Sequence, residues 1–205
     1  MAQKNKEWIK RHINDPFVQE AQRLGYLSRA TFKLLEIQKK DHILKPGMTV
    51  IDLGAAPGGW SQIASELVGN KGRIIAVDLL PVAELPGVTV IQGDFNEQSV
   101  LNQLLEAANG LVDVIISDMA PNLSGQRSID MPRSIHLLEL ALDCAHQTLK
   151  PGGTLLMKAF HGSGLDQFLE TLKKDFGLVK FRKPEASRPK STEVYVLATD
   201  FHGKL

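Results

Sequence analysis

VIDLGAAPGGW, residues 50–60, predicts a buried strand that ends in a glycine-rich turn and leads into a helix. Gly54, Gly58 and Gly59 let the backbone of this turn approach a ligand where a Cβ atom would collide. Ligands of open α/β sheets bind beyond the carboxyl ends of the strands, which is where the turn lies. The turn lacks the G-x-G-x-x-G spacing of dinucleotide sites, and Asp52 would repel a phosphate. The stretch therefore favours a cofactor with a cationic centre.

Short β-rich runs alternate with helical patterns from residue 46 onward, which indicates a doubly wound α/β sheet. The predicted strands span residues 49–53, 73–78, 88–92, 112–117, 153–160, 178–182 and 194–199. The predicted helices between them span residues 59–68, 97–108, 131–149 and 165–176. Only the turn-rich segment KPEASRPKST separates the last two strands, so we expect them to form an antiparallel hairpin. The fold class is therefore α/β, with a sheet of seven mostly parallel strands.

Residues 1–45 are expected to form a basic, helical N-terminal extension ahead of this sheet. Apolar residues at helical spacing predict a helix there, with Ser28 as its candidate N-cap. Residues 46–205 are then expected to form a single structural unit.

The composition is that of one ordinary globular domain, because 43% of the 205 residues are hydrophobic. No apolar run approaches the roughly 18 residues of a membrane span, and no apolar signal segment precedes the first charges. We therefore expect a cytoplasmic protein. The single cysteine, Cys144, excludes an intramolecular disulfide and a multi-cysteine metal site, and its helical surroundings predict core packing.

The net charge of +1 conceals an uneven distribution. Residues 1–45 hold ten Lys or Arg against five Asp or Glu, residues 46–172 hold six against fourteen, and residues 173–205 hold eight against four. The basic ends are suited to a polyanion, although an uneven solvated surface would have the same pattern. The candidate contact residues are Lys4, Lys6, Lys10, Arg11, Lys180, Arg182, Lys183, Arg188 and Lys190.

Two further acidic residues stand at predicted strand ends. Asp78 closes the second strand, where its carboxylate can accept hydrogen bonds from both ribose hydroxyls of an adenosine. Asp94 follows the third strand, where it can bind an adenine amino group. A single aspartate in such a position is more often a helix cap or turn former. Together with Asp52, however, these residues mark three successive strands and indicate a binding site.

Five spaced motifs, DLGAAPGGWSQ, AVDLLP, QGDF, SDMAPN and MKAF, together resemble one known family. They are similar to those of the FtsJ/RrmJ (RlmE) family of S-adenosylmethionine-dependent ribose 2′-O-methyltransferases. The resemblance extends from SRATFKLLEI near the N-terminus to STEVYVLA near the C-terminus. It implies a Rossmann-like methyltransferase fold for residues 46–205 and S-adenosyl-L-methionine as the methyl donor.

The family has a Lys-Asp-Lys-Glu tetrad around the target hydroxyl, and each member of the tetrad matches a motif of this chain. The resemblance assigns these catalytic roles to Lys33 in SRATFKL, Asp118 in SDMAPN, Lys158 in LLMKAF and Glu193 in STEVY. It also places Gly58, Trp60, Asp78, Asp94 and Asp118 around the cofactor.

The chemistry of methyl transfer supports these assignments, since a ribose 2′-hydroxyl is a very weak acid. Lys158 follows an apolar strand, where desolvation favours a neutral amine that can act as the general base. Lys33 is suited to stabilise developing negative charge, and Asp118 and Glu193 to orient the two lysines. From spacing alone, Lys33 and Glu193 would instead be solvated. Spacing also allows simple core packing for Trp60, Phe160 and Tyr195.

The expected function is therefore methylation of RNA at a ribose 2′-hydroxyl. By resemblance, bacterial members act on a uridine in the A-loop of 23S rRNA within the large (50S) ribosomal subunit, whereas close relatives modify tRNA anticodon loops. Two rival functions are an enzyme of the same fold that acts on a small molecule and a noncatalytic RNA-binding or ribosome-assembly factor. The six histidines have no metal-ligand spacing, so we expect no metal. The expected state is a monomer without a membrane partner.

Overall fold

The structure is a computed structural model that describes residues 15–188 and 191–203. Its strands are β1 (Thr49–Leu53), β2 (Arg73–Asp78), β3 (Val88–Gln92), β4 (Val112–Ser117), β5 (Leu149–Phe160), β6 (Phe176–Arg182) and β7 (Glu193–Phe201). Its helices are α1 (Pro16–Leu24), α2 (Thr31–Asp41), α3 (Gly59–Val68), α4 (Gln98–Ala108), α5 (Arg127–Thr148) and α6 (Leu165–Asp175). A short 3₁₀ turn, Gly69–Lys71, follows α3.

All seven strands form one sheet in the order β3-β2-β1-β4-β5-β7-β6. Strands β1 to β5 pair in parallel, whereas β7 lies antiparallel between β5 and β6. The predicted α/β fold, with a mostly parallel sheet and an antiparallel C-terminal pair, is confirmed. Because the strand order reverses between β1 and β4, their carboxyl ends border the crevice where open α/β sheets bind ligands.

The bounds of β1 to β4 agree with the prediction, whereas β5, β6 and β7 are longer than predicted. Strand β5 begins at Leu149, which pairs with Val112 ahead of a register shift in the ladder. Strand β7 continues to Phe201, which pairs with Phe176 at the start of β6. The proline and glycines near the start of β5 disfavour a strand, so tertiary pairing decides its length.

Helix α5 begins at Arg127, ahead of the predicted residue 131, and contains Pro132. The carboxylate of Asp130 accepts hydrogen bonds from the backbone N–H groups of Ser124 (2.8 Å) and Gly125 (3.0 Å). These contacts fix the preceding loop against the first turn of the helix. Since proline rarely continues a helix, local sequence alone favours a later start.

Two apolar clusters cover the two faces of the sheet. One cluster packs α4, α5 and α6 against the strands. The other packs α2 and α3 on the opposite face, and it buries Leu34, Ile37, Val50 and Trp60. Helix α2 of the N-terminal extension is thus part of the core, which fixes the position of its polar residues relative to the sheet.

The start of α2 differs from the prediction. Its N-cap is Ala30, which makes no side-chain capping hydrogen bond, so the assignment of Ser28 as the cap is wrong. The Ser28 hydroxyl instead lies against α3, where a Cβ atom at Gly59 would come within 2.4 Å of it. Ser28 therefore serves the contact between α2 and α3.

Cys144 is fully buried in α5, so its predicted core position is confirmed. Burial raises the pKa of its thiol to about 12. Within residues 15–188 and 191–203, no helix is long and apolar enough to cross a membrane.

Candidate active site

A cleft of about 840 Å³ opens at the carboxyl ends of β1, β2 and β4. Asp78 at the end of β2, Asp94 after β3 and Asp118 after β4 all line this cleft. Its apolar lining includes Leu53, Val77, Phe95, Met119, Leu137 and Leu140. Apolar walls with a few convergent polar groups are typical of sites for small organic ligands. The three aspartates assigned to the cofactor therefore share one cleft.

The carboxylates of Asp78 and Asp94 are oriented by nearby amide groups. Asp78 accepts hydrogen bonds from the backbone N–H groups of Ala56 and Leu80, both at 2.8 Å. Asp94 Oδ1 accepts from the backbone N–H (2.9 Å) and the side-chain amide (2.8 Å) of Asn96, and these bonds lower the pKa of Asp94. Since a carboxylate has about four acceptor sites, both can accept further hydrogen bonds from a ligand.

Asp52 is fully buried at 0% exposure and does not line the cleft. Its Oδ2 accepts a hydrogen bond from the Ser61 hydroxyl (2.6 Å), whereas its Oδ1 has no hydrogen-bond partner among the described residues. Burial raises the pKa of Asp52 to about 7, and the carboxylates of Asp118 and Asp78 also raise it, whereas the Ser61 bond lowers it. The charge of Asp52 therefore changes near neutral pH.

Two glycines of the turn make room for protein groups, and one of them, Gly54, also lines the cleft, as the predicted close approach of a ligand requires. A Cβ atom at Gly54 would lie 2.4 Å from Met119 Cγ, and one at Gly59 would lie 2.4 Å from the Ser28 hydroxyl. Gly54 also has a φ of +74°, which disfavours other residues. The sequence of the turn is thus partly set by packing within the chain.

Gly58 and Trp60 are not among the residues that line the cleft. Gly58 is the N-cap of α3 and has a φ of 116°. Trp60 is buried, its indole Nε1 donates to the carbonyl of Ala30 (2.8 Å), and its ring lies 5.7 Å from that of Tyr195. The assignment of Gly58 and Trp60 to the cofactor stays a prediction.

The four predicted catalytic residues lie together beside the cleft residue Asp118. Lys33 Nζ donates to Glu193 Oε1 at 2.6 Å. Lys158 Nζ lies 2.8 Å from Asp118 Oδ1 and 3.9 Å from Glu193 Oε2, and it also donates to the carbonyl of Asp118 (2.9 Å). The result is a row of alternating charges in the order Lys33, Glu193, Lys158, Asp118.

Strand pairing explains how residues distant in sequence reach this row. In the antiparallel ladder of β5 and β7, Phe160 pairs with Glu193 and Lys158 pairs with Tyr195. The glutamate and the lysine therefore lie at the same end of the sheet, where β4 also ends just before Asp118. Helix α2 completes the cluster with Lys33, whose neighbour Leu34 is fully buried against the sheet.

The tetrad is shielded from solvent, because the side chains of Lys33, Glu193 and Lys158 are only 11%, 12% and 9% exposed. The solvated position considered for Lys33 and Glu193 is therefore wrong. Burial acts to raise the pKa of Glu193, but Lys33, Lys158 and Ser187 together outweigh it and hold the pKa below its ordinary value. Glu193 is consequently ionised at neutral pH and can fix both lysines.

Two residues around the tetrad have no site role in the sequence motifs. The hydroxyl of Tyr195, a fully buried residue, donates to Asp118 Oδ1 at 2.5 Å. Burial, with the carboxylates of Asp118 and Glu193, raises the pKa of Tyr195 well above its ordinary value, so the hydroxyl stays a donor. Ser187 donates to Glu193 Oε1 at 2.9 Å. Strand alternation from Glu193 could have indicated Tyr195, whereas Ser187 lies in a turn with no such periodicity.

Part of the predicted polyanion surface falls outside the described residues, namely Lys4, Lys6, Lys10, Arg11 and Lys190. Lys180 and Arg188 are exposed. Arg182 binds the Asp41 carboxylate through two N–H groups at 2.7 and 2.5 Å. Lys183 donates to the carbonyls of Ser191 and Glu193. Arg182 and Lys183 thus hold the connection between β6 and β7, in addition to any role toward a ligand.

The fold and the site define a class of protein. An acidic, partly apolar cleft at the switch point of the sheet adjoins a buried lysine and carboxylate cluster, which fits a Rossmann-like enzyme with a cationic organic cofactor. Within the described part of the chain, no group of three or more His, Cys, Asp or Glu residues is arranged to hold a metal ion. Residues 26–201 match the FtsJ-like methyltransferases, and the chain belongs to this family.

Individual relatives agree with this membership. The chain is 57% identical over 198 residues to the Ribosomal RNA large subunit methyltransferase E of Alkalilimnicola ehrlichii, covering 96% of this chain and 95% of that protein. The protein of the same name from Pseudomonas fluorescens is 55% identical with the same coverage. A solved ribosomal RNA methyltransferase structure from Plasmodium falciparum matches with a TM-score of 0.79 and 32% identity, over 87% of this chain and 100% of that one. The predicted methyltransferase activity is confirmed.

Proposed function

We propose that this protein transfers a methyl group from S-adenosyl-L-methionine to the ribose 2′-hydroxyl of a uridine in the A-loop of 23S rRNA, within the 50S ribosomal subunit. It acts in the cytoplasm as a monomer. Relatives that are 55–57% identical bear the name of a large-subunit rRNA methyltransferase, which supports the substrate class. The observation that carries the proposal is the position of Lys158 Nζ, 2.8 Å from Asp118 Oδ1, where Asp118 is also a lining residue of the cleft.

Lys158 is the general base of the proposed reaction. Asp118 offers the Lys158 Nζ two acceptors, the carboxylate at 2.8 Å and the backbone carbonyl at 2.9 Å. A neutral amine has two N–H donors and one lone pair, so these acceptors can use both donors and leave the lone pair to take the proton of the 2′-hydroxyl. Tyr195 in turn donates to Asp118, which fixes the carboxylate that orients the base.

Lys33 is the electrostatic partner in this proposal. Its ammonium is held by Glu193 in a site with little solvent, where a positive charge stabilises a developing oxyanion more strongly than in water. Lys33 therefore lowers the energy of the ribose oxygen as the proton moves to Lys158. Glu193 keeps the two lysines together, since its two oxygens face one lysine each.

The cleft has the chemistry that S-adenosylmethionine requires. Asp78 would hold the ribose hydroxyls, Asp94 the adenine amino group, and Asp118 would face the cationic centre. The apolar lining suits the adenine ring, and the three carboxylates suit a ligand without phosphate. When bound, the cofactor supplies a methyl group on a positively charged sulfur.

Replacing Asp78 with alanine is expected to weaken cofactor binding without abolishing folding. A lost hydrogen bond to a charged group costs about 1.5 to 3 kcal/mol, which corresponds to roughly ten- to a hundredfold in the dissociation constant. Isothermal titration calorimetry of the full chain with S-adenosylmethionine measures this change. Asp166→Ala is the matched control, because Asp166 is an exposed residue of α6 outside the cleft. Wild-type affinity in Asp78→Ala would place the ribose elsewhere.

Neutralising the basic ends is expected to weaken RNA binding and reduce its salt dependence. The test variant replaces Lys4, Lys6, Lys10, Arg11, Lys180, Arg188 and Lys190 with glutamine, and it spares Arg182 and Lys183 because they bind other parts of the chain. Each lost phosphate contact should reduce the slope of log K against log salt by about 0.7 to 0.9. Filter binding measures the slope, and the pair Lys173→Gln and Lys174→Gln on α6 is the control. An unchanged slope would show that these residues do not contact RNA and form only a solvated surface.

Mapping of 2′-O-methylation in ribosomes from cells with and without the gene tests the proposed function directly. Loss of one modified uridine of the A-loop is the expected result. A loss confined to tRNA would replace the proposed substrate with the anticodon loop. Unchanged methylation in both RNAs would favour a noncatalytic factor or another substrate.

A further inference from the structure

The turn between β6 and β7 places a buried hydroxyl on the tetrad. Ser187 is only 4% exposed, and its Oγ donates to Glu193 Oε1 at 2.9 Å. The same oxygen accepts from Lys33 Nζ at 2.6 Å, whereas Glu193 Oε2 faces Lys158 at 3.9 Å. Ser187 thus contributes a second donor to one oxygen of the carboxylate and none to the other.

Helix α2 holds this turn in place. The carboxylate of Glu36 accepts hydrogen bonds from the backbone N–H groups of Glu185 (2.6 Å) and Ala186 (3.0 Å). Arg29 donates to the carbonyl of Ala186 at 2.5 Å. Glu36 follows Lys33 by three residues, so both lie on one face of α2. The helix that carries the lysine therefore also fixes the position of the Ser187 hydroxyl.

We propose that Ser187 is a positioning residue for methyl transfer: it holds Glu193 Oε1 on Lys33 so that Oε2 stays directed at Lys158. This role rests on the proposed function, because it acts through the tetrad. Ser187 itself exchanges no proton and touches no substrate. Without its hydroxyl, the Glu193 carboxylate can rotate about its terminal bond, so Oε1 no longer stays on Lys33 and Oε2 no longer stays directed at Lys158.

The role has an electrostatic signature as well as a geometric one. Glu193 is surrounded by Lys33 from α2, Lys158 from β5, the Tyr195 hydroxyl from its own strand, and Ser187 from the turn. Burial opposes its ionisation, and the two lysines and Ser187 favour it. Removing the serine donor must therefore raise the pKa of Glu193. Protonation of Glu193 releases both lysines and adds a loss of rate of its own, separate from the loss caused by protonation of Lys158. This acidic limb should begin at higher pH in the absence of the Ser187 hydroxyl.

The test measures single-turnover transfer of a labelled methyl group by the full chain to large ribosomal subunits that lack the modification, across pH. Ser187→Ala is expected to slow transfer by roughly tenfold to a hundredfold, the equivalent of one lost hydrogen bond to a charged group. Its Glu193-dependent acidic limb should move to higher pH, while the S-adenosylmethionine concentration that gives half the maximal rate stays near that of the wild type. Ser187→Thr keeps the hydroxyl and should restore the wild-type acidic limb.

Ser191→Ala separates positioning from general support of the turn. Its hydroxyl accepts from the backbone N–H of Glu193 at 3.1 Å and does not contact the carboxylate, so its pH profile should match the wild type. Glu36→Gln, which weakens the hold on the turn, should show the Ser187→Ala profile in milder form. A wild-type rate and pH profile in a folded Ser187→Ala would overturn the positioning role alone. No transfer by the wild-type enzyme would overturn the proposed function, and this role with it.

Discussion

Lys158→Arg is expected to lose nearly all methyl transfer while it keeps its fold and its ligands. Arginine retains the positive charge and can still donate to Asp118, but it cannot release a proton in a protein. Since general base catalysis contributes about a hundredfold to ten-thousandfold, the single-turnover rate should fall by that factor. Labelled methyl transfer to ribosomal subunits, at saturating enzyme and cofactor, measures the rate.

Lys33→Ala provides the comparison that separates the two lysines. If Lys33 stabilises charge and positions Glu193, its loss should leave more residual activity than Lys158→Arg. Calorimetry with S-adenosylmethionine and filter binding with RNA should give near wild-type affinities for Lys158→Arg. A near-normal single-turnover rate in Lys158→Arg would make Lys158 an electrostatic residue, and the general base would have to be another group.

The sequence predicted the parallel part of the sheet well because its strands are short apolar runs with clear boundaries. Strands β1 to β4 have their predicted bounds for this reason. Local pattern failed where long-range pairing or side-chain contacts decide the outcome. The start of β5 depends on pairing with Val112, and the start of α5 is accompanied by the Asp130 contacts with the preceding loop.

The candidate site, like the sheet, was predictable where local sequence decides the position of a residue. Strand ends indicated Asp78 and Asp94, because the topology brings the carboxyl ends of parallel strands to one edge, and the family motif indicated Asp118. Asp52, the third strand-end aspartate, is buried outside the cleft. The contacts that hold the turn beside Glu193 were not predictable from local pattern, since they join remote segments. The contact of Glu36 with the backbone of Glu185 joins residues 149 positions apart, and only this docking brings Ser187 to Glu193.

The distribution of charge also has a physical reason in the structure. The acidic middle segment supplies the three cleft aspartates, and the lysines of the tetrad come from α2 and β5. Carboxylates alone would repel an RNA backbone from the cleft. The paired lysines offset this charge at the point where the target hydroxyl must approach, so the site can accept a cation on one side and an RNA ribose on the other.

The buried carboxyl of Asp52 should make the stability of the fold depend on pH. Its pKa is about 7 in the folded chain, against 3.8 as the ordinary value, so the folded state binds a proton that the unfolded state releases between these values. The contribution of the protonated Asp52 carboxyl to the free energy of unfolding is complete below pH 3.8 and is lost as the pH rises through about 7. Above that pH, folding must bury a charge whose Oδ1 has no partner in the described structure.

Asp52→Asn is therefore expected to gain stability relative to the wild type as the pH rises from 4 to 8. The difference in the free energy of unfolding between the variant and the wild type should change by about 4 kcal/mol over this pH range. Each kcal/mol corresponds to about 2 to 4 °C in the melting temperature of a chain of this size. Asparagine still accepts from Ser61, but its buried amide adds a pH-independent cost of about 1 to 3 kcal/mol. The variant should consequently melt below the wild type at pH 4 and above it at pH 8. Thermal unfolding followed by circular dichroism measures the crossing, with Asp166→Asn as the exposed control. A difference that does not change with pH would mean that Asp52 is ionised throughout this range.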